Sequence, residues 1–343
     1  MRVAMVCPAP AGSRLGNRVT AVRWKKLLGE LGHRVVITTG TPRGDYDVLV
    51  ALHARHSADA VLWARETHPI RPIVVALTGT DLYRDIAHDA AAQRSLSLAD
   101  ALIVLHDRGS LALPREHRAK VWVIRQSAEP TKTKRPDHDP TRFDVAFVAH
   151  LRAEKDPLRA ALALRGLPRE SRLRVVHAGR ALTEEFRVAA ESEEASNPRY
   201  RWLGEISPAA SRALIARSRL LVLTSTMEGG ANVLGEAIMS GTPILASRIP
   251  ATVATLGGKY PGLFAVGDTA ALTRLFTRAE RDPKFLATLT RETRARRGLF
   301  LPSVEKAAWR SLLRDLEYRP GKATSNAPPR RAGRNRKIEL SAR

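Results

Sequence analysis

Residues 219–247, Arg219-LLVLTSTMEGGANVLGEAIMSGTPILA-Ser247, constrain the fold more than any other stretch. An apolar run at 220–223 ends in Thr224, Ser225 and Thr226, and a second apolar run at 243–246 follows Gly241. The spacing predicts a buried strand, a polar loop, a helix, a tight turn and another buried strand. Strands of parallel sheets are covered on both faces and read as such unbroken runs. Ligands of these sheets bind beyond the carboxyl ends of the strands, and Glu228 and Glu236 follow such an end with seven residues between them. Gly229 and Gly230 leave the backbone bare where a ligand can approach. Asn232 stands near the helix start, where free N–H groups and the dipole favour an anion. Glutamates and paired glycines also occur at helix starts without any ligand; the long polar insert at a strand end favours a site.

The same strand–loop–helix rhythm runs through the rest of the chain. In the first half, strands are predicted at 3–6, 35–38, 47–52, 72–77, 101–105 and 121–124, with a helix at 20–29. The loop at 8–18 lacks G-x-G-x-x-G and is not a dinucleotide fingerprint, but Arg14, Asn17 and Arg18 on it suit an anion or an acceptor substrate. His53 and Arg55 follow the third strand. Thr78 and Asp81 stand in a glycine-containing corner after the fourth, where Asp81 serves either as a helix N-cap or as a cleft residue. In the second half, strands are predicted at 143–149, 173–177 and 200–203 and helices at 208–216 and 269–280. Residues 258–267 read as a loop, and 284–317 as helical with a break at Leu301–Pro302. His150, Arg152 and Lys155 follow the strand at 143–149 and form a candidate diphosphate clamp, with Gly179 beyond the next strand.

Residues 129–141 are rich in proline and charge and mark a boundary. The expected architecture is therefore α/β: two doubly wound Rossmann-like domains facing across a cleft. The first domain is expected over residues 1–140 and the second over 141–300. A helix at 301–318 crosses back, and a basic tail at 319–343 is too poor in apolar residues to bury a core and is expected to be disordered.

Composition narrows the partners. The 57 Lys and Arg against 34 acidic residues leave a net charge of +23, which suits nucleic acid, an anionic membrane or a small anionic substrate. The excess is spread widely and part of it lies in the tail. Aromatic residues make up only 5%, too few for platforms that stack single strands, so no specific nucleic acid is expected. The single cysteine, Cys7, excludes an internal disulfide framework and a cysteine-cluster metal site. It reads as a small strand residue. No ligand set suggests a metal. No run of 18 apolar residues predicts a transmembrane segment, and no signal peptide is recognisable at the start, so a cytoplasmic location is expected.

Two halves of this kind, with basic loops and a Glu-x7-Glu motif in the second, resemble GT-B glycosyltransferases. The second half is similar to the retaining family that includes sucrose and trehalose-type synthases. Glu228-GGANVLG-Glu236-Ala237 and Gly241-TPILA-Ser247 carry that resemblance. It implies that Glu228 contacts the donor sugar and Glu236 the ribose hydroxyls. The family's phosphate-binding loop reads G-R-L-x-x-E-K-G; Ala149-HLRAEK-Asp156 keeps Leu151, Glu154 and Lys155 but has His150 where the family has arginine.

A narrower resemblance spans nearly all of residues 1–317. Leu52-HARHSA-Asp59, Leu77-TGTDLYRDI-Ala87, Asp89-AAAQRSL-Ser97, Asn197-PRYRWLGE-Ile206, Met227-EGGANV-Leu234 and Ser240-GTPILASRIP-Ala251 resemble the bacterial selenosugar synthases of selenoneine biosynthesis. That resemblance implies transfer from a UDP-sugar, chiefly UDP-N-acetylglucosamine, to selenophosphate, giving a 1-seleno-sugar, UDP and phosphate. It also implies a functional link to an enzyme that produces selenophosphate. The UDP-sugar is a donor substrate, and no cofactor is expected. Arg152, Lys155 and Glu228 are then the catalytic candidates. His150, Gly179, Glu228, Gly229, Gly230, Asn232 and Glu236 are the donor-binding set, and Arg14, Asn17, His53, Arg55, Thr78 and Asp81 the acceptor-binding set. The alternatives are a GT-B transferase with a sugar or lipid hydroxyl acceptor, and a non-catalytic sugar-nucleotide-binding protein.

Overall fold

The computed structural model describes residues 1–129, 139 and 141–317. The tail expected at 319–343 and most of the linker expected at 129–141 lie outside them. The first sheet is built from β1 (Arg2–Val6), α1 (Gly16–Glu30), β2 (Arg34–Thr38), β3 (Val48–Leu52), α2 (Ala58–Thr67), β4 (Ile73–Leu77), α3 (Ala90–Leu98), β5 (Ala101–Val104) and β6 (Val121–Val123). The second comprises β7 (Phe143–Val148), α4 (Arg159–Leu164), β8 (Leu173–Ala178), α5 (Glu184–Ser196), β9 (Tyr200–Trp202), α6 (Pro208–Arg217), β10 (Leu220–Leu223), α7 (Asn232–Ser240), β11 (Ile244–Ser247), α8 (Pro250–Leu256) and β12 (Leu263–Phe264). Three helices follow: α9 (Thr269–Arg281), α10 (Pro283–Ala295) and α11 (Pro302–Glu317).

The strand orders are β2-β1-β3-β4-β5-β6 and β12-β11-β10-β7-β8-β9, and every pairing is parallel. These are two doubly wound Rossmann-like domains, the architecture expected from the apolar runs. Every residue of β3, β4, β5, β10 and β11 is buried, because helices cover both faces. Each order reverses once, between β1 and β3 in the first sheet and between β7 and β10 in the second. Loops leaving such reversal points diverge and open a crevice, and here the two crevices face one another.

Two details depart from the sequence reading. The stretch at 258–267 contains β12, whose two residues are too short to show a periodic pattern. The corner at Asp81 opens a single turn of π-helix, Asp81–Asp85, in place of an ordinary helix. The last helix belongs to the first domain: Trp309, Leu312, Leu313 and Leu316 of α11 enter its core. That spacing is one helical face, and Trp309 meets Trp24 of α1 edge to face with centroids 4.9 Å apart. Glu305, at the start of this face, is buried and accepts from Trp24 Nε1 (2.8 Å), Ser127 N (2.7 Å) and Ser127 Oγ (2.6 Å). Among the described residues, no helix is long and apolar enough to cross a membrane, and no cluster of three His, Cys, Asp or Glu is placed to hold a metal.

Candidate active site

A cavity of about 630 Å³ lies between the two reversal points, lined by both domains. Its second-domain wall is built by the loops after β7 and β10. Residues Ala153–Lys155 form one turn of 3₁₀ helix after β7. Thr224, at the end of β10, pins that turn by donating its hydroxyl to Lys155 O and Asp156 O at 2.8 and 2.9 Å. Thr226 N adds a bond to Glu154 O at 2.9 Å. The two loops are thus one backbone unit. Lys155 Nζ lies 2.5 Å from Glu228 Oε1, and Ser225 Oγ donates to the same oxygen at 2.6 Å. Glu228 is 8% exposed, so this ion pair is held largely away from water.

Helix α7 begins without a side-chain cap, and its first residues, Asn232 and Val233, line the cavity with Gly230 and Ala231. Its unsatisfied N–H groups therefore face the space where an anion would lie. Glu236, one turn further on, also lines the cavity. Burial raises its pKa, with Arg212 and Arg23 pulling the other way. Arg152 lines the cavity with its Nε 3.8 Å from Glu154 Oε2. His150 Nδ1 accepts from Arg180 N at 3.1 Å, which leaves the ring proton on Nε2, 3.3 Å from Arg14 O across the cleft. Burial pushes the His150 pKa down, and the Arg14 carbonyl opposes that shift. Gly179 is required by the crossing of two strand ends: a Cβ there would lie 1.7 Å from Ala149 O.

The first-domain wall holds Arg14, Asn17, His53 and Thr78, and it is less available than the sequence suggests. Arg14 Nη1 donates to Ile206 O at 2.9 Å, spanning the cleft. Two acceptor-side assignments need correction. Arg55 lies outside the cavity lining; it turns away to Asp89 (3.0 Å) and Asp85 (3.8 Å), because helices beside the strand end supply carboxylates closer than the cleft. Asp81 is fully buried and serves the backbone, accepting from Thr78 N (2.9 Å), Gly79 N (2.8 Å) and Ala54 N (3.0 Å). Its carboxylate is saturated by the corner that it builds.

The glycine pair also has a different occupant. A Cβ at Gly229 would lie 2.2 Å from Thr78 O, and one at Gly230 would lie 2.6 Å from Leu105 Cβ. The bare backbone at 229–230 is approached by the first domain itself. Asn232 is likewise engaged across the cleft, accepting from Arg23 Nη1 at 2.7 Å. A further bridge joins Arg84 Nη1 to Glu154 Oε1 at 2.9 Å. Arg23, Arg212, Thr80 and His56 all line the cavity, and sequence reasoning passed over them. Arg23 and Arg212 lie within helices, where an arginine carries no local mark of function.

Residues 129–296 match the family model of glycosyl transferases group 1. No curated protein matches the chain at a significant level. Among solved structures, the chain is similar to Anabaena HepE in complex with UDP and glucose, at 16% identity and a TM-score of 0.72, covering 92% of this chain and 100% of that one. It is similar to sucrose-phosphate synthase from Thermosynechococcus elongatus, at 16% identity and a TM-score of 0.72, covering 92% and 99%. A third likeness is an E. coli trehalose-6-phosphate structure bound with UDP-2-fluoro glucose, at 12% identity and a TM-score of 0.72, covering 94% and 100%. The chain has the GT-B fold, with the glycosyl transferases group 1 signature across its second domain.

Proposed function

We propose that the protein is a glycosyltransferase that takes a sugar from a UDP-sugar in this cleft. The observation that carries the reading is the pair Glu228 and Glu236 on one wall of the cavity, with Lys155, Arg152 and the uncapped start of α7 beside them. The neighbouring structures bound with UDP, or with a UDP-sugar analogue, support the same donor. Glu236 suits the ribose hydroxyls, since a carboxylate accepts from two O–H groups at once. Glu228, held by Lys155 and Ser225, suits a sugar hydroxyl.

As the bond between C1 and the phosphate oxygen breaks, positive charge grows on C1 and negative charge on the departing phosphate. On this reading Lys155, Arg152 and the N–H groups of α7 would meet that charge, and donors already in position lower the barrier without reorganisation. The bonding electrons leave with UDP, and the acceptor atom closes onto C1.

For the acceptor, the comparisons favour the broader reading of a hydroxyl-bearing acceptor, since the neighbours include a sucrose-phosphate synthase. Selenophosphate is the finer reading, supported by the long sequence strings from Leu52 to Ala251. Selenium would then bond to C1, and water would release phosphate from the P–Se bond. A dedicated general base is less needed for such a soft anionic nucleophile than for a hydroxyl. The test is to incubate the protein anaerobically with UDP-N-acetylglucosamine and fresh selenophosphate and to analyse the products by mass spectrometry. A selenosugar with stoichiometric UDP supports the finer reading. UDP release only with hydroxyl acceptors rejects selenium and keeps the transferase, and failure to bind UDP rejects both.

A further inference from the structure

At the end of β3, His53 adopts φ +75°. For a side chain of this size that left-handed conformation is strained, and it persists only where its surroundings hold it. The twist turns the ring under the corner that follows β4. There His53 Nδ1 receives the backbone N–H of His56 at 3.3 Å, and Nε2 lies 3.0 Å from Thr80 Oγ1.

These two contacts determine the tautomer. A nitrogen facing an N–H must present its lone pair, so the ring proton sits on Nε2. Asp85 Oδ2, buried and 3.8 Å from Nε2, favours the proton on the same side. Burial lowers the His53 pKa, in keeping with a neutral ring. His53 therefore donates to Thr80 Oγ1. The hydroxyl proton of Thr80 then points elsewhere, and among the described residues Thr80 Oγ1 donates no hydrogen bond. Thr80 lines the cavity. The corner that carries it presses on Glu228 and Gly229, since a Cβ at Gly79 would lie 2.9 Å from Gly229 N.

We propose that Thr80, oriented by His53, is a fixed hydrogen-bond donor that binds an oxygen of an anionic, phosphate-type acceptor. This rests on the transferase reading of the cleft. A polar group without a partner in a closing site costs free energy, so the site favours an acceptor that brings an oxygen lone pair to this point, and the cationic Arg14, Arg152 and Lys155 in the same lining favour an anionic one. His53 is the positioning residue: it does not touch the acceptor but holds the threonine oxygen so that its proton faces inward.

The test uses the full chain loaded with UDP and titrated with thiophosphate as the probe, by calorimetry. Thr80→Val keeps the shape and removes the donor; Thr80→Ser restores it. The expected result is a loss of about tenfold or more in thiophosphate affinity for the valine variant, near-normal affinity for the serine variant, and unchanged UDP affinity, as for one hydrogen bond to a charged group. Imidazole ¹⁵N spectra should show His53 with a bare Nδ1 and a protonated Nε2. Equal thiophosphate affinity in wild type and Thr80→Val overturns the proposal, as does no thiophosphate binding to UDP-loaded protein, or a proton on Nδ1 of His53. A wild-type protein that does not bind UDP overturns the transferase reading and this proposal with it.

Discussion

The two walls of the cleft are built on the same kind of sheet yet prepared in opposite ways. The second-domain wall presents charge: Thr224 holds the Lys155 carbonyl and Ser225 holds the Glu228 carboxylate, and both residues line the cavity with Arg152. The first-domain wall spends most of its polar groups on its own backbone, as Asp81 does, or on the opposite domain, as Arg14 and Arg23 do. On the proposed transferase reading, one wall would serve chemistry at a leaving group. The other is arranged to close, and it offers few groups that remain unengaged.

The largest effect should come from the charged wall. Lys155→Ala is expected to lower kcat roughly a hundredfold or more, the scale for losing one preorganised donor to developing negative charge. Steady-state rates are to be measured alongside thermal unfolding, because stripping the largely buried Glu228 of its cation should also lower the melting temperature. A fall in stability with kcat intact would mean that the Lys155–Glu228 pair is structural.

The closing wall is probed by Gly229→Ala. The added methyl meets the Thr78 carbonyl at 2.2 Å, a contact between domains that neither domain must make to fold. Transfer should fall about tenfold while UDP affinity is retained, since a small misplacement of reacting groups is costly. Small-angle scattering should show a more open particle. An unchanged particle and rate would show that the domains need not approach this closely.

A smaller effect, on stability alone, is expected at Glu305. Glu305→Ala strands the Trp24 and Ser127 donors and should cost about 1–3 kcal/mol; Glu305→Gln should cost less. Burial raises the Glu305 pKa above its ordinary 4.5, against the opposing bonds from Ser127. The folded protein therefore binds the proton more tightly than the unfolded chain. The stabilising contribution is complete below pH 4.5 and is lost as pH rises through the folded value. Wild-type stability relative to Glu305→Gln, from denaturant titrations, should decline over that window. The smallest effect belongs to Arg55→Ala: its partly exposed pairing with Asp89 is worth at most about 1 kcal/mol, and the acceptor KM should not change.

The contrast between the walls also explains what could be read from the chain. The buried strands announce themselves because parallel sheets demand unbroken apolar runs, as in Leu220–Leu223. The charged wall was legible because Glu228, Glu236 and Lys155 sit within short motifs whose spacing carries their geometry. The closing wall was not. Arg55 and Asp81 look alike in sequence to cleft residues, and only the positions of Asp89 and of three backbone N–H groups decide otherwise. Gly229 and Gly230 read in sequence as open to a ligand, and nothing local says that Thr78 and Leu105 of the first domain approach them instead. Arg23 meets Asn232 across 209 positions of sequence, beyond any periodic signal.

The return of α11 to the first domain has a mechanical consequence. The chain passes between the domains twice, once after β6 and again before α11, and the two crossings lie side by side: Ala128 N donates to Phe300 O at 3.1 Å. A lone crossing would leave the halves free to swivel about a single strand of backbone. Two segments bonded to each other resist that swivel and act as one double-stranded hinge. Trp309, packed against Trp24, anchors the second segment in the first domain.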